Sequence, residues 1–336
     1  MHSRRALLAA AVPWGLAGVL PLPAAAQMPA TGSGQAFPVR PLKIVVPNAA
    51  GGAADLTARL VAQKIAGPLG QNVVIDNKPG AGGVVAGESV ARSEPDGHTL
   101  LLVSSGTAVS AALFKSLPFD TQGDFAPVSM LATFDLAIVV AEGGRFKTLA
   151  DLLAYARANP GKLNIGTPQV GTTQQLAAEL FKATAGIDAQ VIPFNGTPPV
   201  ITALRGGQID AGVDILGPLM GQFGTRGALR PLAVLGARRA QQLSDVPAVR
   251  ESGGPLAQFN VSSWNGLAVP AKTPPAVIAR LNTELQAALA QPEVKQRLLE
   301  LNLVAHGSTP AQLGEQLAAD IKRWGAVIAQ AGIPRQ

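Results

Sequence analysis

The chain contains no cysteine. That excludes disulfides, thiolate metal sites, cysteine nucleophiles and a lipid anchor on an N-terminal cysteine. Histidine is scarce: beyond His2 there are only His98 and His306, neither with a partner at metal-ligand spacing. A serine triad needs a histidine beside its nucleophile, and no G-x-S-x-G elbow occurs. No metal and no cofactor is expected. Tyr155 is the only tyrosine, and the lysines and arginines are scattered rather than interleaved with aromatics. A nucleic-acid platform is therefore not expected. Past the first 26 residues no apolar run is long enough to span a bilayer.

The N-terminus has the opposite character. Arg4 and Arg5 precede an apolar run, Leu7 to Leu22, broken by Pro13, Gly15, Gly18 and Pro21. Ala24-Ala25-Ala26 supplies the small residues of a signal-peptidase site, which predicts a cleaved signal peptide over 1–26 and a periplasmic mature chain. Ser3-Arg4-Arg5 also resembles the start of a twin-arginine signal, so both export routes stay open. Residues 27–38 read as a flexible lead-in. About 310 residues remain, enough for one large or two medium domains.

The stretch Lys43 to Lys64, KIVVPNAAGGAADLTARLVAQK, organises the rest of the chain. Ile44 to Val46 read as a buried strand and Pro47 to Gly52 as a tight turn. Helical periodicity starts near Ala53, with Leu56, Leu60, Val61 and Ile65 on one face. A strand that passes through a Gly-rich turn into a helix aims free backbone N–H groups at the space above the turn, and the helix dipole makes that space mildly positive. The turn is expected to hold the anionic end of a small ligand; the other reading is that Gly51 and Gly52 are only turn glycines and Asp55 only a first-turn dipole partner.

The same grammar repeats along the chain. Strands are predicted at 72–76 and 99–103, each followed by a turn (77–83, 104–107) rich in Gly, Ser or Thr and then by a helix. Residues 119–130 read as a connection. A second α/β series comes next, with strands at 136–140, 162–167, 189–194, 209–216 and 229–235, and helices at 148–158, 173–185 and after Pro198-Pro199. Thr172 is placed to cap the helix that starts at Thr173. Residues 261–270 read as extended, and three helices (274–290, 292–300, 310–331) close the chain. These helices have no strands of their own to cover, so they are expected to return to the first series. That predicts an α/β chain of two lobes joined by crossings near 132–135 and 260–264: lobe 1 over 39–133 and 263–336, lobe 2 over 134–262, with a ligand cleft between them. The Gly80-Ala81-Gly82-Gly83 run does not make a dinucleotide fingerprint, because Val85 stands where the third glycine is required.

Several ordered motifs point to one family: PLKIVVPNAAGGAADLTAR, VVIDNKPGAGGVVAG, ARSEPDGHTLL, FDTQGDFAPVSML, ANPGKLNIGT, GGQIDAGVDIL, LRPLAVLGARR and WNGLAVPAKTPPAVIARLN. From about Pro41 to Gly332 the chain resembles the Bug/TctC family, the extracytoplasmic solute receptors of tripartite tricarboxylate transport systems. The resemblance implies a two-lobed periplasmic-binding-protein fold (type II, Venus flytrap) with two hinge crossings. It implies a monomer that captures a small organic acid or amino-acid-like ligand and delivers it to membrane transporter subunits. Carried over position by position, the expected ligand-binding residues are Asn48, Ala50, Gly51, Gly52, Ala53 and Asp55 from the first turn, and Ser104, Ser105 and Gly106 from the third strand end. The second lobe contributes Gly166, Thr167, Gly171, Thr172, Thr173, Phe194, Asn195, Gly196 and Asp214.

Several of these have a second reading. Thr172 also reads as a helix cap and Phe194 as core packing. Asp214 reads as a strand-end group that binds an amino group or holds a loop. The chain departs from the family pattern where Pro-Tyr, a basic residue and Gly become Pro193-Phe194-Asn195-Gly196, and where a histidine becomes Gln175. Losing a phenol and a positive charge argues against a second carboxylate at the far end of the ligand. Two other functions fit the same scaffold: a ligand-presenting sensor, and a secreted enzyme with Asp55 or Asp214 as base.

Overall fold

Strand β1 (Leu42–Val46) sends Leu42, Ile44 and Val46 to one face and Val45 to the other, all fully buried, as a strand covered on both sides requires. The computed structural model that carries this strand describes residues 37–168, 170–224 and 227–336. The expected signal peptide lies outside the described residues, as does the lead-in up to Ala36. Phe37, which the sequence placed in a flexible lead-in, packs edge-on against His98, and His98 is itself buried, with Nε2 accepting from Val39 N.

After β1 come helix α1 (Ala53–Leu69), β2 (Val73–Asn77), α2 (Val84–Ala91), β3 (Thr99–Ser104) and α3 (Ser105–Leu113). β1 pairs in parallel with β2 on one side and β3 on the other. Strand β4 (Phe125–Ala141) is longer than the sequence suggested. Residues 125–130, expected as a connection, are paired strand. Pro127 obscured them: it has no N–H to donate, and the register slips between Pro127 and Ser129.

The second series holds α4 (Leu149–Ala158), β5 (Leu163–Thr167), α5 (Thr173–Ala185), β6 (Ala189–Pro193), α6 (Thr197–Arg205), β7 (Ala211–Ile215), α7 (Leu216–Leu219) and β8 (Leu229–Val234). The chain then returns through β9 (Ser262–Pro270) to α8 (Pro275–Ala290), α9 (Pro292–Glu300), β10 (Val304–Ala305) and α10 (Pro310–Gln330).

The strands form one mixed sheet in the order β2-β1-β3-β9-β4-β7-β5-β6, with β8 and β10 also on β4. β4 is the shared member. Its first part pairs with β9 as far as Asp135↔Ser262, and β10 lies at Thr133. From Leu136 onward it pairs with β7 and β8. The partners of β4 therefore change between Asp135 and Leu136, and β9 begins at Ser262. One apolar cluster packs α1, α8 and α9 on β1 and β3; another packs α6 and α7 on β4 and β8. The largest runs through both halves: it holds α3, α5 and α10 together and includes Trp264 and Trp324. No described helix is long and apolar enough to cross a membrane.

Candidate functional site

The first-turn geometry is set by one buried carboxylate. Asp55, in the first turn of α1, accepts from Gly51 N (2.9 Å), Arg59 Nε (2.9 Å) and Asn77 Nδ2 (3.0 Å). Asn77 Nδ2 also reaches Asn48 O (3.0 Å), which ties the end of β2 to the 47–52 turn. Burial works against charge on Asp55, but the bonds from Arg59, Gly51 and Asn77 outweigh it and hold the carboxyl below its ordinary range. With Asp55 occupied this way, the turn is fixed in shape. Gly52 is the cap residue of α1 and no side chain caps that end, so the first-turn N–H groups stay open to the space above.

A second helix start stands beside it. Ser104 Oγ accepts from Gly106 N (3.2 Å), and Thr107 Oγ1 accepts from Ser104 N (3.0 Å), a reciprocal cap on α3. A third comes from the other half of the sheet: Thr172 Oγ1 accepts from Gln175 N at the start of α5. Gln175 spends its Oε1 on Gly171 N (2.8 Å) and so braces its own loop. The two halves meet through hydroxyls. Thr173 Oγ1 lies 3.1 Å from Ser105 Oγ, and Ser105 also bonds Ser263 of β9. All three are buried.

Between these helix starts lies a cavity of about 400 Å³. Of the expected residues, Asn48, Gly52, Ala53, Ser104, Ser105, Gly106, Gly171, Thr172 and Thr173 line it. Ala50, Gly51 and Asp55 do not; the last two shape the turn from behind. Gly166, Thr167, Phe194, Asn195, Gly196 and Asp214 are also off the wall. Strand alternation accounts for Gly166: it faces α6, where an added Cβ would lie 2.4 Å from Ile209 and 3.2 Å from the Phe194 ring. Phe194 is core packing there. Asp214 lies on β7 directly behind the wall residue Ile215.

Sequence reasoning missed several wall residues. Pro79, Gly80, Gly82 and Gly83 come from the 77–83 turn, which the sequence marks as Gly-rich at a strand end without giving it a role. Gly82 has φ +63°, and a Cβ there would sit 2.7 Å from Ser110 Oγ, so the turn can approach α3 only with glycine. Phe134, Ser263 and Asn265 belong to the crossing strands. The signal for the last two is a pair of polar residues flanking a tryptophan in a strand that otherwise reads as buried. Pro168, Val170, Gln174 and Ile215 also lie on the side opposite the first turn. Among the described residues lining the cavity, none has an ionisable side chain.

The family model described as the tripartite tricarboxylate transporter family receptor (TctC) matches residues 57–333. The chain belongs to this family. Protein BugT of Bordetella pertussis is 33% identical to it over 302 residues, covering 89% of this chain and 92% of BugT. Among solved structures, Rpa4515 of R. palustris with adipate superposes with TM-score 0.79 at 31% identity, covering 89% of this chain and 99% of that one. MatC from Rhodopseudomonas palustris with bound malate gives TM-score 0.74 at 32% identity, covering 87% of this chain and all of MatC. TctC-family members are solute-binding receptors of the periplasmic type, and these two solved structures hold carboxylates. The present TctC chain shares their mixed α/β fold.

Proposed function

We propose that this TctC-family chain is a periplasmic receptor that captures a small carboxylate-bearing metabolite in the cavity between the two halves of its sheet and delivers it to a tripartite-type membrane transporter. The observation that carries this reading is the convergence of three helix starts (α1, α3 and α5) on a cavity lined by neutral donors. Backbone N–H groups and Ser/Thr hydroxyls replace the water around a carboxylate without burying a bare counter-charge, which suits reversible capture. Related proteins were solved with adipate and with malate, which supports a carboxylate for this chain too.

In this reading Asn48, Gly52, Ala53, Ser104, Ser105 and Gly106 hold the carboxylate, while Gly171, Thr172 and Thr173 approach from the other side. Asp55, Gly51 and Ala50 set the turn. Gly166, Thr167, Phe194, Asn195, Gly196 and Asp214 support the second wall. The two halves act as lobes, 39–133 with 263–336 and 134–262, and close about the crossings at Asp135 and Ser262. The chain is exported by its N-terminal signal, works as a monomer and needs no cofactor.

Mass spectrometry under native conditions tests this directly. The purified protein should carry, or take up from a panel of small acids, one ligand that leaves chemically unchanged. No adduct and no rise in melting temperature with any acid at millimolar concentration would overturn the reading, and turnover of the ligand would replace it with an enzyme.

A further inference from the structure

Gln174, the second residue of α5, stands on the wall opposite the first turn. Its amide nitrogen lies 3.4 Å from Asp214 Oδ1, and the same oxygen accepts from Ile215 N at 2.7 Å. Asp214 has no solvent exposure, and among the described residues its Oδ2 has no hydrogen-bond partner within bonding geometry. We infer that Asp214 turns the Gln174 amide so that its carbonyl oxygen faces the cavity, and that the receptor thereby selects a ligand whose end remote from the carboxylate is a hydrogen-bond donor: a hydroxyl, an ammonium or a primary amide. This rests on the capture reading above and adds a rule for the other end of the ligand.

Donor and acceptor chemistry fixes the orientation. An ionised carboxylate can only accept. Oδ1 already takes the backbone N–H of Ile215, so the group that Gln174 turns towards it must be the NH2. The other polar atom of the amide, the carbonyl oxygen, then points away from Asp214, on a residue that lines the cavity. A ligand that ends in a methyl group would strip water from that oxygen and leave it unpaired. A ligand that ends in a carboxylate would set acceptor against acceptor. The groups set against Asp214 are the Ile215 amide of β7, the Gln174 amide of α5 and the Thr197 hydroxyl of α6, all neutral. With no counter-ion set against it among the described residues, its charge reinforces the choice: attractive to an ammonium, repulsive to a second carboxylate. Phe194 and Asn195 are off the wall and do not compete for this role.

Burial pushes the Asp214 carboxyl up to about 6, so the measurement belongs at pH 8, where it is ionised. Calorimetric titration of the full chain would use straight-chain acids of four to six carbons, each length bearing a terminal methyl, hydroxyl, ammonium or second carboxylate. At the length that fits, the hydroxy or amino acid should bind at least about tenfold more tightly than the methyl-ended acid, and the dicarboxylate no better than the methyl-ended one. Gln174→Met, of similar length and without the carbonyl, should collapse that ratio to within about threefold. Asp214→Asn frees the amide to turn over and should shift the ratio towards the dicarboxylate, a change of preference that a merely structural role would not produce. Discrimination that survives Gln174→Met, or a wild-type preference for the dicarboxylate, overturns the inference while leaving carboxylate capture standing. Binding of none of these acids overturns both.

Discussion

Asp55 and Asp214 are both buried, and they titrate in opposite senses. Asp55 has three donors and sits below its ordinary range; Asp214 has burial as its main influence and sits near 6. Linkage gives the two opposite consequences. Asp55 stabilises the fold above the unfolded carboxylate range, and that contribution is lost as pH falls through its lowered value. For Asp214 the folded value is the higher one, so stability is greatest below about pH 4 and is lost as pH rises through 6, by roughly 3 kcal/mol in full. Asp214→Asn removes this burden. Urea unfolding at pH 4.5 and pH 8 should show the variant gaining on the wild type as pH rises; parallel curves would contradict it. Asp55→Ala leaves Gly51 N, Arg59 and Asn77 without their acceptor and should cost about 2 kcal/mol. It should also weaken carboxylate capture at least about tenfold, because the 47–52 turn loses its brace. Unchanged affinity in that variant would show that the turn holds its shape without Asp55.

At the scale of elements, the site is a set of helix starts, and the caps are its fixings. Ser104→Ala removes the α3 cap and should lower stability by about 1 kcal/mol in thermal or urea unfolding. It also takes a hydroxyl from the cavity wall, so affinity should fall with it. The turns on the first-half side of the cavity were readable in advance. Each of the three turns at 47–52, 77–83 and 104–107 comes after an apolar run and precedes a helical pattern, and all three reach the cavity. The residues that escaped prediction have a common physical reason. Whether Gly166 or Thr167 faces a ligand depends on which face of β5 the cavity occupies, and sequence spacing does not say. Phe134, Ser263 and Asn265 come from crossing strands, whose polar residues look like the wet side of an ordinary strand until the second half of the sheet covers them. Gln174 matters through its partner on β7, 40 residues away, a pairing that only the tertiary fold brings about.

At the scale of the molecule, the proposed capture has the halves move about the crossings, and Trp264 is placed to report it. It lies between the wall residues Ser263 and Asn265, and its indole N–H donates to the buried Asp320 of α10 at 2.7 Å. A ligand that rearranges Ser263 or Asn265 should therefore change tryptophan emission, and small-angle scattering should show a matching fall in radius of gyration. An emission change without compaction would place the response in the wall alone.

The long strand β4 also governs how the molecule melts. A strand of 17 residues that pairs with both halves leaves neither with a complete sheet once the other melts. The α3–α5–α10 core crosses the same boundary. The receptor should therefore unfold in one calorimetric step, with van't Hoff and calorimetric enthalpies in agreement. Ligand should raise that single step as a whole instead of splitting it, so a melt of the whole chain is a faithful gauge of what the cavity holds.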